Sequence, residues 1–200
     1  DGGGALPVDL VGVEPGDEVA VGRGLTAQVF ATQHRVPSVG YLLVSTRSGG
    51  LLPEFQGLPG PELGRLRREG VQITTQTRTT EVCYTGDTEL ACLLPPNEVA
   101  PLVWGAKMLI LEATYLQPGE EELARKHKHV HIQDLIDARD LVQNDEVVLF
   151  HISSRYGRAE VISSLIECLP PELLPKVKVA LKLFGEHDAL TCLATCKTVC

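Results

Sequence analysis

Paired cysteine clusters are missing from this sequence: its six cysteines, at 83, 92, 168, 192, 196 and 200, form no CxxC pair. With no secretory leader in view either, the thiols fit buried or free positions in a reducing compartment. No apolar run reaches the ~18 residues of a membrane span. Cations are also scarce, 18 Lys and Arg against 26 Asp and Glu, giving a net charge of −8 and a pI near 5.2. That balance excludes a generally basic nucleic-acid coat and leaves room only for a local basic patch. There is no internal repeat, and no low-complexity tract follows the opening Asp1-Gly2-Gly3-Gly4, which also lacks an initiator Met. We therefore expect the true N-terminus to lie upstream. What is present is 200 residues with 44% apolar content. That suffices for one ordinary domain or half of a larger layered one, and is too much for wholesale disorder.

Short alternating stretches at Glu18–Gly22 and Leu25–Thr32, split by Arg23-Gly24, predict an antiparallel pair. Val39 to Thr46 is mostly apolar and predicts a strand buried on both faces. Arg47 to Gly60 is rich in Gly and Pro and reads as surface loop, followed by a helix from Pro61 to Glu69. A short strand is expected at Glu81–Thr85, and a helix capped by Asn97 carries Val99, Leu102 and Val103. Apolar strands follow at Lys107–Glu112 and Glu146–Phe150. Charged and amphipathic helical patterns occupy Gly119–His127 and Ile132–Val142. A helix from Arg158 to Leu169 and a strand from Lys176 to Leu183 complete the pattern. Strands alternating with helices imply an α/β layered fold. Cys192, Cys196 and Cys200 recur every four residues, which predicts one face of a terminal helix.

One context repeats along the chain: a strand ends and a chemically capable residue follows. His34 follows Phe30-Ala-Thr-Gln, Asp87 follows Tyr84-Thr-Gly, Glu112 ends Leu109-Ile-Leu, and His151 follows Leu149-Phe150. Ligands in α/β sheets collect just beyond strand ends, so these four residues are candidates to share one crevice. Two histidines and a carboxylate are donors that zinc accepts in hydrolytic sites. Composition and spacing alone thus lead to a metal-assisted hydrolase. Each residue also has a plainer reading, as a helix cap, a turn residue or a structural histidine.

Four strings in order sharpen this: Phe30-Ala-Thr-Gln-His34-Arg-Val-Pro-Ser-Val-Gly40-Tyr41, Tyr84-Thr-Gly-Asp87-Thr88, Leu111-Glu112-Ala113-Thr114 and His151-Ile-Ser-Ser-Arg155-Tyr156. From about Leu10 to Leu183 they resemble the C-terminal half of a short-form tRNase Z of the metallo-β-lactamase superfamily, which removes the 3′ trailer of precursor tRNA. The resemblance implies an αββα sandwich, seen here as its C-terminal half: a mixed sheet flanked by helices, with the N-terminal half missing. It implies a domain over residues 1–183 with a tail at 184–200. His34, Asp87 and His151 would hold two Zn²⁺ ions with Asp87 bridging them, although Mn²⁺ or Fe²⁺ would suit the same shell. His129 would protonate the leaving oxygen, paired with Glu112, with His131 as a competitor for that role. Arg155 would contact phosphate, and Arg65, Arg67 and Arg68 form the one basic cluster able to touch tRNA. As a plainer reading, that cluster is the wet face of a surface helix. A homodimer is implied as well.

The family's His-x-His-x-Asp-His signature appears nowhere in these 200 residues and is expected upstream of Asp1. The family's tRNA-gripping arm is not evident between Arg47 and Thr80. An open apolar face or a large shallow pocket, lined by valines and leucines of the strands at 39–44 and 107–111, is expected where the other half would pack. Two further readings stay open: a truncated, inactive scaffold subunit, and a hydrolase of the same fold with another substrate.

Overall fold

The computed structural model describes residues 10–180 and 190–192. Eight strands form one sheet in sequence order: β1 (Glu18–Gly22), β2 (Leu25–Thr32), β3 (Ser38–Leu51), β4 (Thr74–Tyr84), β5 (Met108–Glu112), β6 (Glu146–Phe150), β7 (Val177–Ala180) and β8 (Leu190–Cys192). β1 to β4 are antiparallel neighbours, β4 to β7 run parallel, and β8 returns antiparallel to β7. The parallel strands need crossovers, and the helices supply them. α1 (Gly60–Arg68) sits between β3 and β4, α2 (Ala100–Trp104) precedes β5, and α3 (Glu121–His127) and α4 (Ile132–Asp137) precede β6. α5 (Arg158–Cys168) links β6 to β7. Among the described residues no helix is long and apolar enough to cross a membrane.

The period-two alternation of strands gives the sheet two unequal faces. Leu42, Val44, Cys83, Leu109, Leu111, Val147, Leu149, Val177 and Val179 are buried together with Val103 and Trp104 of α2, Leu135 of α4 and Val161 and Leu165 of α5. Burial pushes the Cys83 thiol up to about 12, since a thiolate there would lose its hydration. The register puts Tyr41, Leu43, Val82, Tyr84, Met108, Ile110 and Phe150 on the opposite face. There Tyr41 and Tyr84 are exposed, and the Tyr84 and Phe150 rings lie 5.1 Å apart.

Several expectations need correction. β3 is buried on one face only: Gly40, Leu42 and Val44 are buried, while Tyr41 on the other face is exposed. Of the valines and leucines expected to line an open face, Leu42, Val44, Leu109 and Leu111 are buried in the helix-packed core, while Val39 and Leu43 lie on the opposite face of the sheet. Arg47 to Leu51 is not loop but the continuation of β3, paired with Thr74 to Thr77 of a longer β4. The two strands form a projecting arm that carries α1, whose residues are all at least partly exposed. The amphipathic segment 132–142 breaks at Ala138 into α4 and a 3₁₀ turn at Arg139–Leu141. Leu190–Cys192 is strand rather than helix, while Cys196 and Cys200 lie outside the described residues. The end of the expected strand at Leu181–Leu183 lies outside them too.

Candidate metal centre

Strand direction explains why distant residues meet. β2, β4, β5 and β6 all point the same way, so their C-terminal ends share one edge of the sheet. His34 follows β2, Asp87 follows β4, Glu112 ends β5 and His151 follows β6. His129 arrives on the turn after α3, where Lys128 closes the helix in the left-handed conformation (φ +59°).

Ligand atoms of Asp87, His129 and His151 lie within 4.8 Å of one another. His151 Nε2 is 3.5 Å from Asp87 Oδ2. Bonds of about 2.0–2.1 Å at a tetrahedral angle place two donors about 3.4 Å apart, so this pair fits one cation without rearrangement. The His129 and His151 rings stack with centroids 5.2 Å apart, and the His34 ring lies 4.8 Å from that of His129. His34 stands outside the three-residue group. Its Nδ1 donates to the Lys128 carbonyl at 3.0 Å, which leaves Nε2 bare.

Beneath these rings Glu112 is fully buried, and every bond to it arrives from a donor. Oε1 accepts from Thr88 N–H at 2.8 Å and from His129 Nδ1 at 2.7 Å. Oε2 accepts from the Thr114 hydroxyl at 2.9 Å and from Thr114 N–H at 3.3 Å. A buried carboxylate needs this degree of satisfaction. It also fixes the proton of His129 on Nδ1 and presents a bare Nε2 to the cluster. His131 is tied at both nitrogens: its Nδ1 accepts from Gln133 N–H at 3.0 Å and its Nε2 donates to the Gln117 carbonyl at 2.9 Å. Both nitrogens are used in capping α4 and holding the preceding loop.

Arg155 is exposed and pairs with Glu120 at 3.0 Å, its guanidinium 5.0 Å from the centre of the Tyr115 ring. Hydrogen bonding with Tyr156 holds the guanidinium above its ordinary pKa. His127, 2.5 Å from the Tyr115 hydroxyl, is held below the usual imidazole value by desolvation, then by the cations Arg35 and Lys126. Arg65, Arg67 and Arg68 are not brought to the cluster. They sit on α1 at the far end of β4, whose 11 residues span about 35 Å. Two pockets flank the centre. One of about 650 Å³ reaches from His129 to Leu94 and Asp137, and one of about 770 Å³ opens at His151, Thr114 and Tyr156.

No protein-family model matches the chain. Among curated proteins, tRNase Z TRZ1 of Arabidopsis thaliana is 34% identical over 173 residues, covering 86% of this chain and 60% of its own length. The chloroplastic tRNase Z TRZ2 of the same plant is 31% identical over 163 residues, covering 81% of this chain and 45% of its own. The chain is a homologue of tRNase Z. It spans about half of the length of the curated tRNase Z relatives it matches. The fold is that of the metallo-β-lactamase proteins: YhfI from Bacillus subtilis superposes with a TM-score of 0.51 at 13% identity, covering 87% of this chain and 54% of that one.

Sequence reasoning singled out His34, Asp87, Glu112, His129 and His151, and all five lie in one neighbourhood of the tRNase Z homologue. It gave no role to Thr88, Thr114 or Lys128. Their contributions are a backbone N–H, a hydroxyl and a carbonyl, and none of these has a sequence signature beyond the strings that contain it.

Proposed function

We propose that this chain is the C-terminal part of a tRNase Z, a metal-dependent endoribonuclease that removes the 3′ trailer from precursor tRNA. The observation that supports it most is the convergence of Asp87, His129 and His151 over a buried Glu112 in a homologue of that family. Asp87 and His151, with His34 beside them, would hold Zn²⁺, which suits mixed imidazole and carboxylate donors; when bound, it supplies Lewis-acid polarisation of the phosphodiester. The open apolar sheet face around Tyr41 and Tyr84 would receive the segment that completes the domain, which takes in β8 (Leu190–Cys192) beyond the expected boundary at residue 183.

The chain's own residues have separable tasks in this reading. Glu112 holds the His129 ring with Nε2 facing the crevice, so that once Nε2 has taken up a proton from solvent His129 would deliver that proton to the leaving 3′ oxygen. Arg155 would exchange Glu120 for a substrate phosphate, keeping its seat against Tyr115. Arg65, Arg67 and Arg68, about one strand length from the centre, would touch tRNA remote from the cut or serve the second subunit of a homodimer. The acidic balance of the rest of the chain would confine RNA contact to such patches.

The test is reconstitution. Purified alone, the chain should fail to cut precursor tRNA; supplied with an upstream half carrying His-x-His-x-Asp-His, it should cut. In that restored protein Asp87→Ala should abolish turnover and His129→Ala should slow it by about 10²–10⁴-fold. Chelator-insensitive cleavage by the isolated chain would overturn the assignment.

A further inference from the structure

Thr114 stands between the two ends of the centre. Its hydroxyl lies 2.9 Å from Glu112 Oε2, 2.8 Å from His151 Nδ1 and 3.2 Å from the His151 carbonyl. The residue is buried, with 8% of its surface exposed. A threonine hydroxyl has one proton to give. Both oxygens near it are acceptors only, so the proton goes to one of them, and the carboxylate is the nearer and the charged one. Placing the proton on the bond to His151 instead would leave two lone pairs facing each other 2.9 Å apart in a buried site. The remaining contact therefore runs the other way: His151 Nδ1–H donates to Thr114.

From this we infer that Thr114 is a positioning residue, one that fixes His151 in the tautomer with Nε2 bare and aimed at Asp87. The inference rests on the metal-dependent reading above and deepens it, since a metal-ligating imidazole needs its other nitrogen held by a partner. A second observation supports it. His151 has φ +58°, a left-handed conformation that is unfavourable for a non-glycine residue and persists only where the surroundings hold it. The Thr114 bond and the Ser153 N–H bond to the Thr114 carbonyl at 3.2 Å supply that hold on both sides of the turn. Glu112 thus orients both rings, His129 directly and His151 through one hydroxyl. Two bare Nε2 atoms then face the same space as the Asp87 carboxylate.

Histidine ¹⁵N spectra of the 200-residue chain test this, recorded without metal in alkaline buffer where each imidazole has one ring proton. His151 should show a protonated Nδ1 and a pyridine-like Nε2. In Thr114→Val, which keeps shape and loses the hydroxyl, the two His151 nitrogen shifts should move toward each other as both tautomers populate. Thr114→Ser should restore the wild-type pattern, and His129 should keep its Nδ1 proton in all three proteins. A His151 proton on Nε2 in the wild-type chain would overturn the assignment even if the Val variant did not fold. An unchanged His151 pattern in a folded Thr114→Val would overturn it equally. No RNA or metal enters the measurement, so failure to process tRNA would refute the nuclease reading and leave the Thr114 assignment standing.

Discussion

The sheet edge that gathers His34, Asp87, Glu112 and His151 and the arm that carries α1 are built on opposite principles. At the edge, β5 and β6 are covered by helices on one face, and Leu109, Leu111, Val147 and Leu149 are fully buried. That packing lets a carboxylate be buried with four donors around it and fixes rings to within hydrogen-bond tolerance. The arm has no such packing. From Arg47 to Ser48 and from Gln76 to Arg78 it is a two-stranded ladder exposed on both faces, and Ile73 at its far end, next to α1, is its one buried side chain among the described residues. Chemistry at the edge needs positions held closely, whereas contact with a large partner needs only reach and charge. The β3–β4 pair serves both ends of that division.

If the contrast holds, substitutions at the edge cost stability and those on the arm do not. The largest effect is expected from Glu112→Ala. It strips the acceptor from Thr88 N–H, from the Thr114 hydroxyl and from His129 Nδ1. Unsatisfied buried donors cost about 1–3 kcal/mol each, and the sum after relaxation should be about 3–5 kcal/mol. Urea unfolding of the chain measures it, and a loss under about 1 kcal/mol would show that the network orients without stabilising. Next comes Leu149→Ala, at the centre of the covered face, with an expected loss of about 2–5 kcal/mol from the removed apolar atoms and the cavity they leave. Its midpoint should fall while the slope of the urea transition stays constant.

The same division decides what could be read from the chain. β5 and β6 are near-continuous apolar runs, and their ends announce Glu112 and His151 without structural help. That the four strand-end residues meet follows from β2, β4, β5 and β6 sharing a direction, which an α/β pattern already implies. The arm left a weaker trace. With both faces in solvent it shows no apolar alternation, and Gly49-Gly50 looks like a turn although it lies within β3. The available signal was the threonine-rich run at Thr74, Thr75, Thr77, Thr79 and Thr80, β-branched residues that favour extended backbone. The sense of the Thr114 hydroxyl was beyond sequence altogether, since it depends on three atoms from β5, the loop after it and the turn after β6. The difference between His129 and His131 was equally beyond it, since it lies in what each ring's second nitrogen touches.

The smallest expected effect sharpens the comparison from the arm's side. Arg65 is already paired with Glu69 at 2.8 Å and lies 3.9 Å from Glu62, while Arg67 and Arg68 have no ion pair among the described residues. All three are exposed on α1. Arg67→Ala combined with Arg68→Ala should therefore shift unfolding free energy by no more than about 0.5 kcal/mol. On the proposed function the same pair should weaken tRNA binding by the reconstituted protein, with the log–log salt slope shallower by about 0.7–0.9 for each phosphate that is no longer neutralised. Arg65→Ala should matter less, because the variant removes a cation whose charge Glu69 already offsets. Titrations of precursor tRNA at several salt concentrations measure the slope. A slope that does not change, with stability also untouched, would mean that the cluster is only the solvated face of a surface helix, and that the arm holds RNA through other groups or does not hold it.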